Sequence, residues 1–190
     1  MELLNNIWMA LSTPNELIMN VITIITSFIE IFFIFKIFTL LLDIKYTKKQ
    51  SLIYIISCSI LGIISNFVFA FPINTIINYI IMFLFSYFTF KLSVIKSCLS
   101  VLLPVIIFAL ITTLIVNPYL TLFNISSNDL SVIPIYKIIY SIILYLIIGI
   151  LTFILKNKNY VLNILDDIDG KNKKIIILNL FFGILSIVIQ

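Results

Sequence analysis

The chain has 190 residues, 62% of them hydrophobic and 11% charged, with a formal net charge of +4 and no histidine. A mean hydropathy of +1.24 excludes a soluble globular fold, and apolar runs near the ~20 residues needed to cross a bilayer predict an all-α, polytopic membrane helix bundle. The missing imidazole excludes Ser-His and Cys-His catalytic pairs, histidine-ligated zinc and a phospho-accepting histidine, so the chain is read as non-enzymatic, with no metal and no cofactor.

Residues 1–12 predict a short interfacial helix, with Leu3, Leu4, Ile7, Trp8 and Leu11 on one face and Trp8 as its anchor. Thr13-Pro14-Asn15-Glu16 has the form of a capping box, which starts the first span at Pro14 with Thr13 as its N-cap. Six spans follow, over about 14–42, 51–71, 73–90, 97–116, 132–155 and 175–190. Pro104 in the fourth removes a backbone hydrogen bond and predicts a kink. Asn117-Pro118 is read as a helix end, followed by a loop to Ser131. Lys137 stands one turn inside the fifth span, where its side chain can snorkel to the interface.

All basic residues are lysines, and they follow the loops. Segments 43–50, 91–96 and 156–174 carry ten of them, while the two intervening loops carry none. The positive-inside bias therefore predicts a multi-pass protein of the cell membrane with those three segments cytoplasmic and the N-terminus outside. The positive charge then faces an anionic leaflet; the expected partner is the lipid bilayer and not nucleic acid.

Glu30 is the sharpest single position. An acidic side chain near the middle of a span costs at least ~2.5 kcal/mol on insertion, so it should be neutral, paired or facing water. Lys36, six residues on, lies about 240° around the helix and does not stack on it. Two roles remain open for Glu30: a ligand contact or switch, and a neutral carboxyl bonded between helices. Asn66, Asn78, Thr112 and Asn117, with aromatics such as Phe69, Tyr79 and Tyr119, form a second candidate set near the outer face; the same residues also suit helix caps and an aromatic belt. Cys58 and Cys98 are read as two buried thiols at different membrane depths rather than a disulfide. Asp166-Asp167-Ile168-Asp169-Gly170 lacks the ligand spacing of a calcium loop and reads as a solvated linker.

Phe28-Ile29-Glu30, Lys36, the segment Asp43 to Lys49, Phe90-Lys91-Leu92-Ser93, the Pro104 helix and Lys171 to Gly183 together resemble the membrane sensor half of receptor histidine kinases of the accessory-gene-regulator type from Firmicutes. That resemblance implies a quorum-sensing receptor of a two-component system, which binds a secreted peptide from outside and passes the signal to a GHKL-type ATP-binding domain. It also implies a homodimer. The family pattern has seven spans, and this chain stops one short, which fits a truncated product lacking the kinase. The leading expectation is thus a membrane sensor module for an extracellular peptide or amphipathic ligand. A substrate-binding membrane subunit of a vitamin-type importer is the alternative; against it stand the outward N-terminus and the scarcity of alanine, limited to Ala10, Ala70 and Ala109.

Overall fold

A computed structural model describes residues 8–158, which are helical apart from short connections. Among the described residues five helices are long and apolar enough to cross a membrane. They are α1 (Glu16–Leu41), α2 (Lys48–Val68), α3 (Ile73–Phe90), α4 (Val94–Phe123) and α6 (Pro134–Lys158); a six-residue α5 (Ser127–Val132) bridges the last two. The chain is a multi-pass membrane protein of all-α class. The expected sixth span at 175–190, most of the lysine-rich segment 156–174 and the first seven residues of the interfacial helix lie outside the described residues. Residues 8–12 are helical, with Trp8 exposed.

Helix starts follow local side-chain chemistry. Asn15, not Thr13, caps α1: its Oδ1 accepts from the Ile18 amide at 3.1 Å. The predicted box fails because the Thr13 hydroxyl donates instead to the Met9 carbonyl at 2.7 Å, closing the preceding turn. A capping box does open α2, where Thr47 accepts from the Gln50 amide and Gln50 Oε1 accepts from the Thr47 amide. This starts the helix three residues before the expected Ser51. Ser93 caps α4, accepting from the Lys96 amide, and Ser126 and Asp129 form a second box on α5.

The fourth span departs most from expectation. It runs through Asn117-Pro118 and ends at Phe123, where Asn124 adopts a left-handed conformation and its amide bonds to the Leu120 and Thr121 carbonyls. A proline interrupts a helix by losing one donor, and inside a bilayer the helical alternative is still cheaper than exposed backbone. Pro118 is accommodated on the exposed surface. At ~1.5 Å per residue these 30 residues exceed the apolar core of a bilayer. The expected loop from Asn117 to Ser131 is therefore mostly helix. Similarly, Lys156 and Lys158 belong to the last turn of α6 rather than to the following loop.

The core is uneven along the bundle. On α1 the buried positions are Ile22 and then a dense set from Ile31 to Leu41. Phe35 and Phe38, both 0% exposed, meet Tyr54 of α2 and Phe90 of α3, with ring centroids 5.4–5.9 Å apart. Offset and edge-on rings at such distances add roughly 0.5–1.5 kcal/mol per pair beyond simple contact. Gln50 Nε2 donates to the Thr89 carbonyl at 2.9 Å across the same end. The lysine-bearing segments after α1, after α3 and at the end of α6 all belong to this tightly packed end. Toward the opposite end, α1 is only partly covered.

Candidate functional site

Glu30 lies 14 residues into α1, about 21 Å along the helix, just where dense packing gives way to open structure. It is exposed. Yet three residues of other helices stand within electrostatic range of it: Tyr79 on α3, and Lys137 and Tyr145 on α6. The residue is exposed as a whole while its carboxyl is surrounded by protein, so it sits at a partly open gap between α1, α3 and α6. Of the three conditions expected for an acidic group in a span, the structure supplies a cation near by, Lys137 on α6.

Tyr145 organises one wall of that gap. Its ring stacks on Phe33, with centroids 5.9 Å apart and planes 9° from parallel, and its hydroxyl donates to the Thr26 carbonyl at 3.1 Å. Gly149, one turn on, faces the same ring: a Cβ there would lie 3.8 Å from Phe33, in ordinary contact, so the position has room for a small side chain. The Thr23, Thr26 and Ser27 hydroxyls each donate to carbonyls of the preceding turn, which satisfies them within α1.

Thr112 of α4 lies against Tyr140 of α6, and Tyr140 packs edge-on against Tyr119, with centroids 5.5 Å apart. The Tyr119 hydroxyl donates to the Tyr136 carbonyl at 2.8 Å. Thr112 therefore belongs to a tyrosine-lined seam between α4 and α6, the second of which also carries Lys137 and Tyr145. Asn117 is exposed, and its carbonyl accepts from the Thr121 hydroxyl.

Asn66 and Asn78 come together in a different place. Asn66 Oδ1 accepts from Asn78 Nδ2 at 3.1 Å and from Asn74 Nδ2 at 3.2 Å, while the Ser65 hydroxyl donates to the Asn74 carbonyl. These bonds tie α2 to α3 and stay within that hairpin. Asn78 Oδ1 is buried without a partner among the described residues and lies near Gly62. Pro104 is buried on α4; its missing N–H withdraws the helical donor from the Ser100 carbonyl, beside the bond of 2.8 Å from the Ser100 hydroxyl to that of Ser86 on α3. Cys58 and Cys98 are free thiols, the first buried and the second half-buried.

Sequence reasoning singled out Glu30 and Thr112 but missed Tyr140 and Tyr145. Their signal was present, since each places a hydroxyl inside an apolar run; what was absent was any indication of which helix they face. Comparisons with protein-family models, with curated proteins and with solved structures found no match.

Proposed function

We propose that this chain is a membrane sensor module that binds an extracellular amphipathic ligand, with a secreted peptide as the leading class, in the gap beside Glu30. The observation that carries the reading is Glu30, an exposed acidic residue inside a span, with Tyr79, Tyr145 and Lys137 of two other helices within electrostatic range of its carboxyl. A charge inside a span is costly, and tyrosines supply apolar contact together with a polar tip, so the set suits a ligand with both characters. Signal transfer follows from the contrast along α1: a ligand between α1, α3 and α6 acts where packing is loose and biases the densely packed end through one rigid helix.

Orientation enters the same proposal. With the lysine-bearing end cytoplasmic, the gap opens outward, and Asn117 and α5 face the exterior. The resemblance to accessory-gene-regulator-type receptor kinases supports the peptide as ligand and a homodimer as the working state. The chain itself then acts as a receptor and not as an enzyme.

The test is accessibility from outside. Glu30→Cys, in a Cys58→Ser, Cys98→Ser background, is exposed in cells to a membrane-impermeant methanethiosulfonate reagent. Labelling is expected, and so is its slowing by the peptide fraction of the cells' own spent medium. Labelling only from the cytoplasmic side sinks the sensor reading. Labelling that no peptide slows, together with co-purification of an energising ATPase, replaces it with the importer subunit.

A further inference from the structure

At the lysine-bearing end, α1 and α6 part to leave a cavity of about 520 Å³, which adjoins the wall of the Glu30 gap through Phe33 and Gly149. That size lies within the ~300–1,000 Å³ of ordinary small-molecule sites. Its walls carry Lys36 and Lys156, one on each helix, with Tyr46 beside the first.

Lys36 is held in place before any ligand arrives. Its ammonium donates to the Tyr46 hydroxyl at 3.2 Å and lies 5.6–5.9 Å from the ring centroids of Phe32, Phe35 and Tyr46. Such a cage orients a cation at little cost in later ordering. The position is five residues before the end of α1, about 7.5 Å inside the helix terminus, near the depth of a headgroup when the helix crosses a bilayer. Below the lysines the walls turn apolar: Phe32 is 40% and Phe153 64% exposed. Among the described residues Asp43 is the single acidic one on the wall, so two lysines and one carboxylate leave a formal charge of +1.

We infer that this cavity binds the phosphodiester of an anionic phospholipid, with Lys36 and Lys156 on the phosphate, acyl chains along Phe32 and Phe153, and Asp43 accepting from a headgroup hydroxyl. A phosphodiester carries one negative charge, which matches the charge of the cavity. Basic pockets between spanning helices recognise lipid headgroups in this way, at about 1 kcal/mol per lysine near a surface. A phosphatidylglycerol-type lipid satisfies every feature. Phosphatidylcholine offers the phosphate but no hydroxyl donor for Asp43, and as a neutral zwitterion it leaves the cavity's charge of +1 uncompensated.

The experiment uses the full chain in nanodiscs and native mass spectrometry. Phosphatidylglycerol is expected to remain bound in preference to phosphatidylcholine, and Lys36→Gln and Lys156→Gln are each expected to lower its occupancy about fivefold. Lys49→Gln, an exposed lysine outside the cavity, should leave it unchanged. Equal retention of the two lipids, or an equal loss in Lys49→Gln, overturns the site. Displacement of the lipid by soluble glycerol 1-phosphate at millimolar concentration would make the ligand a free phosphate ester and overturn the lipid assignment. A second readout needs no variant: acetylation of Lys36 by an N-hydroxysuccinimide ester should be slower in phosphatidylglycerol than in phosphatidylcholine nanodiscs. Equal rates, as would follow if residues 159–190 filled the cavity, also overturn it.

Discussion

The Tyr145 hydroxyl donates to the Thr26 carbonyl at 3.1 Å across 119 residues of sequence, and so fastens α6 to α1 one turn before Glu30. The bond couples the wall of the gap to the helix that bears its acidic group. Tyr145→Phe keeps the stacking on Phe33 and loses only the hydroxyl, so a cost of about 0.6–1.5 kcal/mol is expected. Steric-trap unfolding in bicelles measures it. Labelling of Glu30→Cys should also quicken in the Tyr145→Phe background as the wall loosens; an unchanged rate would show that the bond does not govern access.

Phe35 stands at the centre of the aromatic cluster, within 6 Å of the rings of Phe38, Tyr46, Tyr54 and Phe90. In a bilayer the apolar transfer gain is small, so its value is mainly packing. Phe35→Ala should destabilise the bundle by roughly 2–3 kcal/mol, toward the lower end of large-to-small core changes. Leu122→Ala, at an 80% exposed position, should change stability by less than about 0.5 kcal/mol. Similar values for the two would refute the placement of the core.

Asn66 supplies one oxygen to two donors on α3. Asn66→Ala leaves the Asn74 and Asn78 amides to find other partners, at a cost of about 1–2 kcal/mol. The loss should be confined to the α2–α3 hairpin. Hydrogen exchange is expected to rise at its tip while the α1–α6 contact stays protected, and uniform loosening of the bundle would contradict this division.

Asp129 lies outside the spans, and its carboxyl is held below the usual aspartate range by hydrogen bonds from the Ser126 hydroxyl and the Ser126 amide. The depressed value sets the sign. The capping contribution to α5 is fully present above the unfolded value near pH 4 and is lost as the pH falls through the lower folded value. The Ser126 amide resonance should titrate with a midpoint below the unperturbed aspartate value of about 3.9, and Asp129→Asn should abolish the transition. A midpoint at the unperturbed value would mean that the box does not form in solution.

The membrane class and the helical content were legible from composition, because no arrangement other than helices satisfies the backbone of such apolar runs in lipid. The segregation of lysines was equally plain, and it corresponds to a real end of the bundle, where Gln50 meets Thr89 and Lys36 and Lys156 share a cavity. Helix ends were less secure. Thr13 and Asn15 are both competent caps, and the choice fell to Asn15 once the Met9 carbonyl had engaged the Thr13 hydroxyl. Asn117-Pro118 carries a stop signal that α4 overrides.

Glu30 marks the boundary between the two kinds of knowledge. Its cost inside a span follows from residue type and position alone, which is why it stood out in a linear reading. Whether it meets lipid, protein or open space depends on the rotation of α1 against α3 and α6, and that rotation is set by contacts remote in sequence, such as Phe33 with Tyr145 and Phe35 with Phe90. Periodicity assigns a residue to a face of its own helix; only tertiary packing decides what that face looks upon.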